Sequence, residues 1–284
     1  MPRSGVRRSD RAALSPRAQA VAAQYCDAAD AAGYAAAYDG WGPSARYFQS
    51  RLHAVQEVLR ACPGGDLLDA GCGPGMFVRQ VLGTRPGDFR ITACDQSQAM
   101  VDAAAATIKD AGDAELAVAR IEDLPFPDGR FDVALAMGVL EYTDASCALR
   151  ELARVVRPGG LVIVTMLNPL SPYRLFEWVV YWPMVRLLGR VERLLGVPMG
   201  RRHGARRSGI RAIPQARLRR LMHDAGLWTQ EVVNYDLTPL LPPLDKVLRR
   251  WTRQWRDRPE KTVSRGARGW MGTAYLVAAR RAPG

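Results

Sequence analysis

The sequence predicts an α/β fold, a parallel sheet with helices on both faces, and three observations carry that prediction. From about Pro63 onward, short apolar runs alternate with stretches of helical periodicity, as expected of strands buried on both faces and joined by crossover helices. The first run, "DLLDA", leads directly into the glycine-rich "GCGPG", and the second, "FRITACD", ends on the acidic Asp95. A strand-to-helix turn that must let its backbone approach a ligand has no room for side chains, so glycines at 71, 73 and 75 mark the ligand end of the sheet.

Taken in order, residues 1–17 form an arginine-rich stretch without the apolar core of a secretory signal, read as a disordered basic tail. Residues 18–62 are alanine-rich and carry "YAAAYDGWGPSARYFQSRL". The gap from Gly40 to Pro43 divides this part into two helices, an N-terminal helical arm. The domain proper, 63–284, supplies strands at "DLLDA", "FRITACD", "ELAVAR", "FDVALAM" and "GLVIVTML", with helices between them. A helix at "PQARLRRLMHDAG" then leads to a strand "TQEVVNYD", and "GTAYLVAARR" closes the chain as a last strand. Two segments, 167–211 and 237–270, do not fit the alternation and are read as insertions.

The charge follows those insertions. Of the formal net charge of +12, the first insertion holds +7 and the second +6, so the sheet and arm together are near neutral. An anionic partner is implied, and it meets the insertions: a lipid surface, an acidic carrier protein, an acidic metabolite or nucleic acid. Five cysteines with no CxxC pair form neither a disulfide framework nor a zinc ribbon, and no metal site is expected. The expected location is cytoplasmic, with a peripheral contact at the inner face of the membrane.

The turn at Gly71 also narrows the ligand. A dinucleotide fingerprint would place glycine at 76, where this chain has Met76. Asp69, at the end of the first strand, would repel a pyrophosphate but attract an ammonium. Asp95 stands where a carboxylate accepts both hydroxyls of a ribose. The ligand reads as a cationic nucleoside without a phosphate.

Four stretches, "LLDAGCGPG", "ACDQSQAMVDAA", "IEDLPFPDGRFDVALAMGVLEYTD" and "LARVVRPGGLVIVT", give the chain between Leu67 and Thr165 a resemblance to class I S-adenosylmethionine-dependent methyltransferases that act on small molecules. The resemblance implies a Rossmann-like sheet of seven strands whose last strand is antiparallel. It also implies S-adenosyl-L-methionine as cofactor. Asp69 and Gly71 would then lie toward the methionine moiety and Asp95 on the ribose, with Cys72, Gly73 and Gly75 also binding the cofactor, while Gln96, Ile121, Glu122, Met137 and Gly138 would flank the adenine. Two positions depart from the family pattern: Arg120 stands where relatives carry Asp or Asn, and Tyr142 where they often carry histidine.

Methyl transfer from a sulfonium needs no metal and gains most from holding donor and acceptor in line away from water. A carboxylate acceptor needs no base, whereas a hydroxyl does. The catalytic candidates are Tyr142, beside the methyl, and His203, in the charged loop "GRRHGARR". His53 and His223 fit structural positions on helices, and Asp144 reads as a helix N-cap.

The stretch "YRLFEWVVYWPMVRLLGRVERLLG", beginning at Tyr173, tests the membrane question. Only eight uncharged residues separate Glu177 from Arg186, and Pro183 falls inside the stretch. That uncharged run is too short to span a bilayer. It reads as an amphipathic pair of helices broken at Pro183. With the arginines and tryptophans of the second insertion it would form a joint cap over a hydrophobic acceptor and touch an anionic membrane surface. The expected acceptor is a lipid, quinone, polyketide or other natural product, methylated on oxygen first and carbon next, either free or bound to an acidic carrier protein. A nucleic-acid methyltransferase gripping phosphates through the insertions is the alternative. "NPLSPY" at Asn168 superficially matches the Asn-Pro-Pro-Tyr motif of such enzymes, but follows the fifth strand rather than the fourth.

Overall fold

The computed structural model describes residues 28–40, 43–198, 211–238, 241, 244 and 257–283. The basic tail, the first residues of the arm, His203 and Trp251 and Trp255 of the second insertion lie outside them. Seven strands form one sheet in the order β3-β2-β1-β4-β5-β7-β6, with β1 at Gly65–Ala70, β2 at Phe89–Asp95, β3 at Glu115–Val118, β4 at Phe131–Ala136, β5 at Val156–Leu167, β6 at Leu227–Leu237 and β7 at Gly272–Arg281. Strands β1 to β5 pair in parallel. Strand β7 inserts antiparallel between β5 and β6, as the resemblance implied.

Alternation along the strands assigns the faces. Leu67, Ile91, Val133, Leu135 and Ile163 point to the side covered by α1 (Ala28–Asp39), α2 (Pro43–Leu59), α3 (Met76–Thr84) and α4 (Gln98–Ile108). Leu68, Ala134, Val162, Val164 and Val277 point to the other, covered by α5 (Ala145–Val155) and α8 (Gln215–Asp224). The N-cap expected at Asp144 forms: its carboxylate accepts from the Cys147 N–H at 2.9 Å.

The arm is bolted to the sheet across almost the whole chain. Arg46 on α2 donates through Nε to Asp236 of β6 at 2.6 Å, and both side chains are buried. Asp236 also accepts from the Thr273 hydroxyl. Removing one partner of a buried pair leaves the other charge uncompensated, which costs about 3–5 kcal/mol. Arg46→Ala and Asp236→Ala should each lower unfolding stability by that amount in a urea titration, and their double variant should lose much less than the sum.

The first insertion differs from the expected cap. Its helices are α6 (Pro172–Phe176), a π-helical turn (Glu177–Tyr181) and α7 (Trp182–Leu194), in one continuous run. Pro183 does not break that run, because it sits in the first turn of α7, where its missing N–H does little harm, and the wider π turn precedes it. Nor does α7 pack its apolar face over the end of the sheet: none of its residues is buried. The N-terminal arm already occupies that position. Among the described residues, no helix is long and apolar enough to cross a membrane.

Candidate active site

A cavity of about 420 Å³ opens at the carboxyl ends of the central strands. Its place follows from topology. From β1 the chain steps to β2 and β3 on one side, then returns to β4 on the other, so the loops leaving β1 and β4 diverge and leave a crevice.

Each loop contributes predictable residues. After β1 come Gly71, Cys72 and Gly73; after β2, Asp95 and Gln96; after β3, Ile121 and Glu122; after β4, Met137, Gly138 and Tyr142, and all of these line the cavity. Asp69 and Gly75 are not in the lining. Asp69 lies fully buried behind it. Gly75 caps α3 with φ 77°, and a Cβ there would come within 3.0 Å of Ala104 on α4, so its glycine serves helix packing.

Asp95 is fixed from both sides. One carboxylate oxygen accepts from the Gly73 N–H and the other from the Ser97 N–H, each at 3.0 Å. Burial pushes its carboxyl up, while these backbone donors pull it down. Asp69 has no such help. Neither of its oxygens has a hydrogen-bond partner among the described residues, and burial, then the Asp95 charge, raise it from 3.8 to about 7, against the pull of Arg51. The Cys72 thiol is pushed well up by burial and the neighbouring acids, so Cys72 is a small apolar wall and not a nucleophile.

The arm closes the cavity with residues that the sequence did not single out. Tyr34 and Tyr38 of α1 and Arg51 of α2 line it. Arg51 is buried; its Nη2 donates to the Tyr38 hydroxyl at 2.8 Å and the Tyr34 hydroxyl at 3.4 Å, and its guanidinium lies 5.0 Å from the Phe48 ring centroid. Nη1 points toward Gly138, which sits at φ 73°, and a side chain at 138 would collide with it. One wall of the cavity therefore carries a cation and the floor one acid, Asp95, with Asp69 buried behind it. The i, i+4 spacing of Tyr34 and Tyr38 was visible in the sequence, but their meeting with Arg51 required the fold.

Near Tyr142, Thr143 also lines the cavity. Glu141 points the other way, into the interior, where burial pushes its carboxyl up to about 7. Arg120 reaches Glu122 at 3.6 Å on the rim. Asn168 is structural: its amide donates to the Gly272 carbonyl and its carbonyl oxygen accepts from Leu170, tying β5 to the start of β7.

Residues 68–164 match the family model described as a methyltransferase domain, and this span holds the turn after β1, Asp95 and the loops after β3 and β4. Residues 68–164 are thus a methyltransferase domain. Relatives of this domain include a ubiquinone/menaquinone biosynthesis C-methyltransferase of Geotalea daltonii, 35% identical over 40% of this chain and 50% of that one. Another is a malonyl-[acyl-carrier protein] O-methyltransferase of Serratia marcescens, 39% identical over 37% of this chain and 39% of that one. The chain thus spans half or less of the length of these two relatives. The fold extends further than the sequence likeness. An S-adenosylmethionine-dependent methyltransferase of Methanosarcina mazei superposes with a TM-score of 0.51 at 16% identity, over 78% of this chain and 94% of that one. The [4+2]-cyclase SpnF superposes at 0.56 with 22% identity, over 82% of each. Its presence shows that this fold alone does not set the chemistry.

The site fits the cofactor with residues of the methyltransferase domain and of the arm together. Buried, unpartnered carboxylate oxygens at Asp69, a backbone-anchored Asp95 and a buried Arg51 suit an amino-acid ammonium, a ribose diol and a carboxylate respectively.

Proposed function

We propose that the chain is a methyltransferase acting on a hydrophobic small molecule, with oxygen as the first choice of acceptor atom and carbon the second. The observation that carries this reading is the cavity after β1, with Arg51 on one wall and Asp69 and Asp95 below. S-adenosylmethionine, when bound, supplies a methyl group on a positively charged sulfur. Asp95 accepts from the ribose hydroxyls, Asp69 attracts the ammonium and Arg51 grips the carboxylate. Gly71, Cys72, Gly73 and Gln96 shape the floor, while Ile121, Glu122, Met137 and Gly138 border the base. Gly75 acts indirectly, through the packing of α3 on α4.

Tyr34, Tyr38, Met137, Val139 and Tyr142 give the acceptor's approach an apolar and aromatic character, which excludes water and favours a greasy partner. Tyr142 orients the acceptor through its hydroxyl. It serves as a positioning group and not as a base, which suits acceptors that need little deprotonation. The names of the quinone and malonyl-carrier relatives support a small acceptor, free or carrier-bound, and the basic insertions suit an acidic carrier.

The test is incubation with methyl-labelled S-adenosylmethionine and a cell extract, followed by partition into organic, nucleic-acid and protein fractions. Label is expected in the organic fraction, and Asp95→Ala should cut it while weakening cofactor affinity by about 1–3 kcal/mol. Label in nucleic acid would replace this reading with the RNA-directed one.

A further inference from the structure

The apolar face of α7 serves neither the core nor the cavity. Met184, Leu187, Leu188, Val191 and Leu194 recur at helical spacing on one arc, each between 42% and 86% exposed. The opposite arc carries Arg186, Arg190 and Arg193, all exposed. Just before them, in the π turn, Trp178 is half exposed and Val179 more so. An apolar stripe this long is unusual on a protein surface unless something covers it.

We propose that this face docks on an anionic lipid bilayer, with α7 lying in the plane of the interface. Three features of the chain select that occupant. The polar arc is basic, as anionic headgroups require, and the leucines opposite it can enter the acyl boundary while the arginines stay at the phosphates. The aromatic residues of the preceding turn stand where amphipathic rings meet headgroups. The surrounding insertion carries +7 and the whole chain +12, so a bilayer of opposite charge is favoured and a second copy of the same chain is opposed. This inference rests on the surface alone and stands whether or not the cavity binds S-adenosylmethionine.

Co-sedimentation of the full chain with vesicles tests it, using phosphatidylcholine alone or mixed with phosphatidylglycerol. The partition coefficient should be at least about tenfold higher on the mixed vesicles at low salt and should fall as salt is added. Replacing Arg186, Arg190 or Arg193 by Gln should each lower it by about fivefold. Leu187→Glu with Leu194→Glu should remove binding altogether. Because α7 buries nothing in the core, these variants should melt at the wild-type temperature, which separates lost docking from lost folding. Equal binding to both vesicle types would overturn the proposal. So would failure to bind either, including the case in which sedimentation velocity reveals a dimer that Leu187→Glu dissolves, which would make the stripe a self-association surface.

Discussion

Asp69→Asn should make the cofactor-free protein more stable at pH 8 and at the same time weaken its hold on S-adenosylmethionine. The carboxyl of Asp69 is fully buried without a hydrogen-bond partner among the described residues, and burial raises it from 3.8 to about 7. Since the folded value lies above the unfolded one, the folded state keeps a proton that the unfolded state has released between the two. Below about pH 4 both states are protonated and Asp69 costs nothing through ionisation. As pH climbs toward 7 that advantage is lost, and above 7 the folded chain carries a buried charge costing on the order of 4 kcal/mol. Glu141, also raised to about 7 by burial, adds a loss with the same sign. Urea unfolding of the wild type between pH 5 and pH 8 should therefore show falling stability, and Asp69→Asn should show a much shallower fall. Affinity for the cofactor should run in the opposite direction, rising with pH up to about 7 in the wild type and staying low and flat in the variant. Identical stability slopes in the two proteins would show that Asp69 is not the group responsible.

That trade explains which parts of the site could be seen in the sequence. Strands whose residues are buried on both faces reveal themselves as unbroken apolar runs, and the loops at their ends inherit positions from the strands. Gly71, Gly73 and Asp95 were therefore legible from their order along the chain, while Gln96 and Met137 followed only from the family resemblance. Gly75 was legible as a glycine that the turn needs, but its reason, the approach of α4 at Ala104, depends on two helices meeting. Tyr34, Tyr38 and Arg51 carried no local signal of a place in the site. They sit in an alanine-rich arm where tyrosine at helical spacing ordinarily means core packing, and only the fold, through the Arg46 to Asp236 pair across 190 residues and the apolar core that α2 shares with the sheet, brings that arm over the sheet. The stripe on α7 shows the same limit from the other side. Its period fixed a helix with an apolar face, but no pattern in a single helix states what that face meets.

Arg51→Ala should lower affinity for S-adenosylmethionine by about 2–3 kcal/mol, the scale of a charge-assisted hydrogen bond lost from a buried site. Two consequences separate this from general damage to the cavity. The nucleoside methylthioadenosine has the same adenine, ribose and sulfur but no amino-acid group. If Arg51 grips the carboxylate, calorimetry should give methylthioadenosine nearly the same affinity in wild type and variant while S-adenosylmethionine alone weakens. Secondly, Arg51 is the cation that holds the Asp69 carboxyl down against burial and the Asp95 charge. Without it Asp69 should titrate higher still, so the pH at which cofactor affinity levels off should move upward. Arg51→Lys would keep a charge but lose the planar fork that reaches Tyr38 and Tyr34 together with the cavity, and should recover only part of the affinity. Equal losses for both ligands would mean that Arg51 supports the wall through Tyr38, Tyr34 and Phe48 and does not meet the carboxylate.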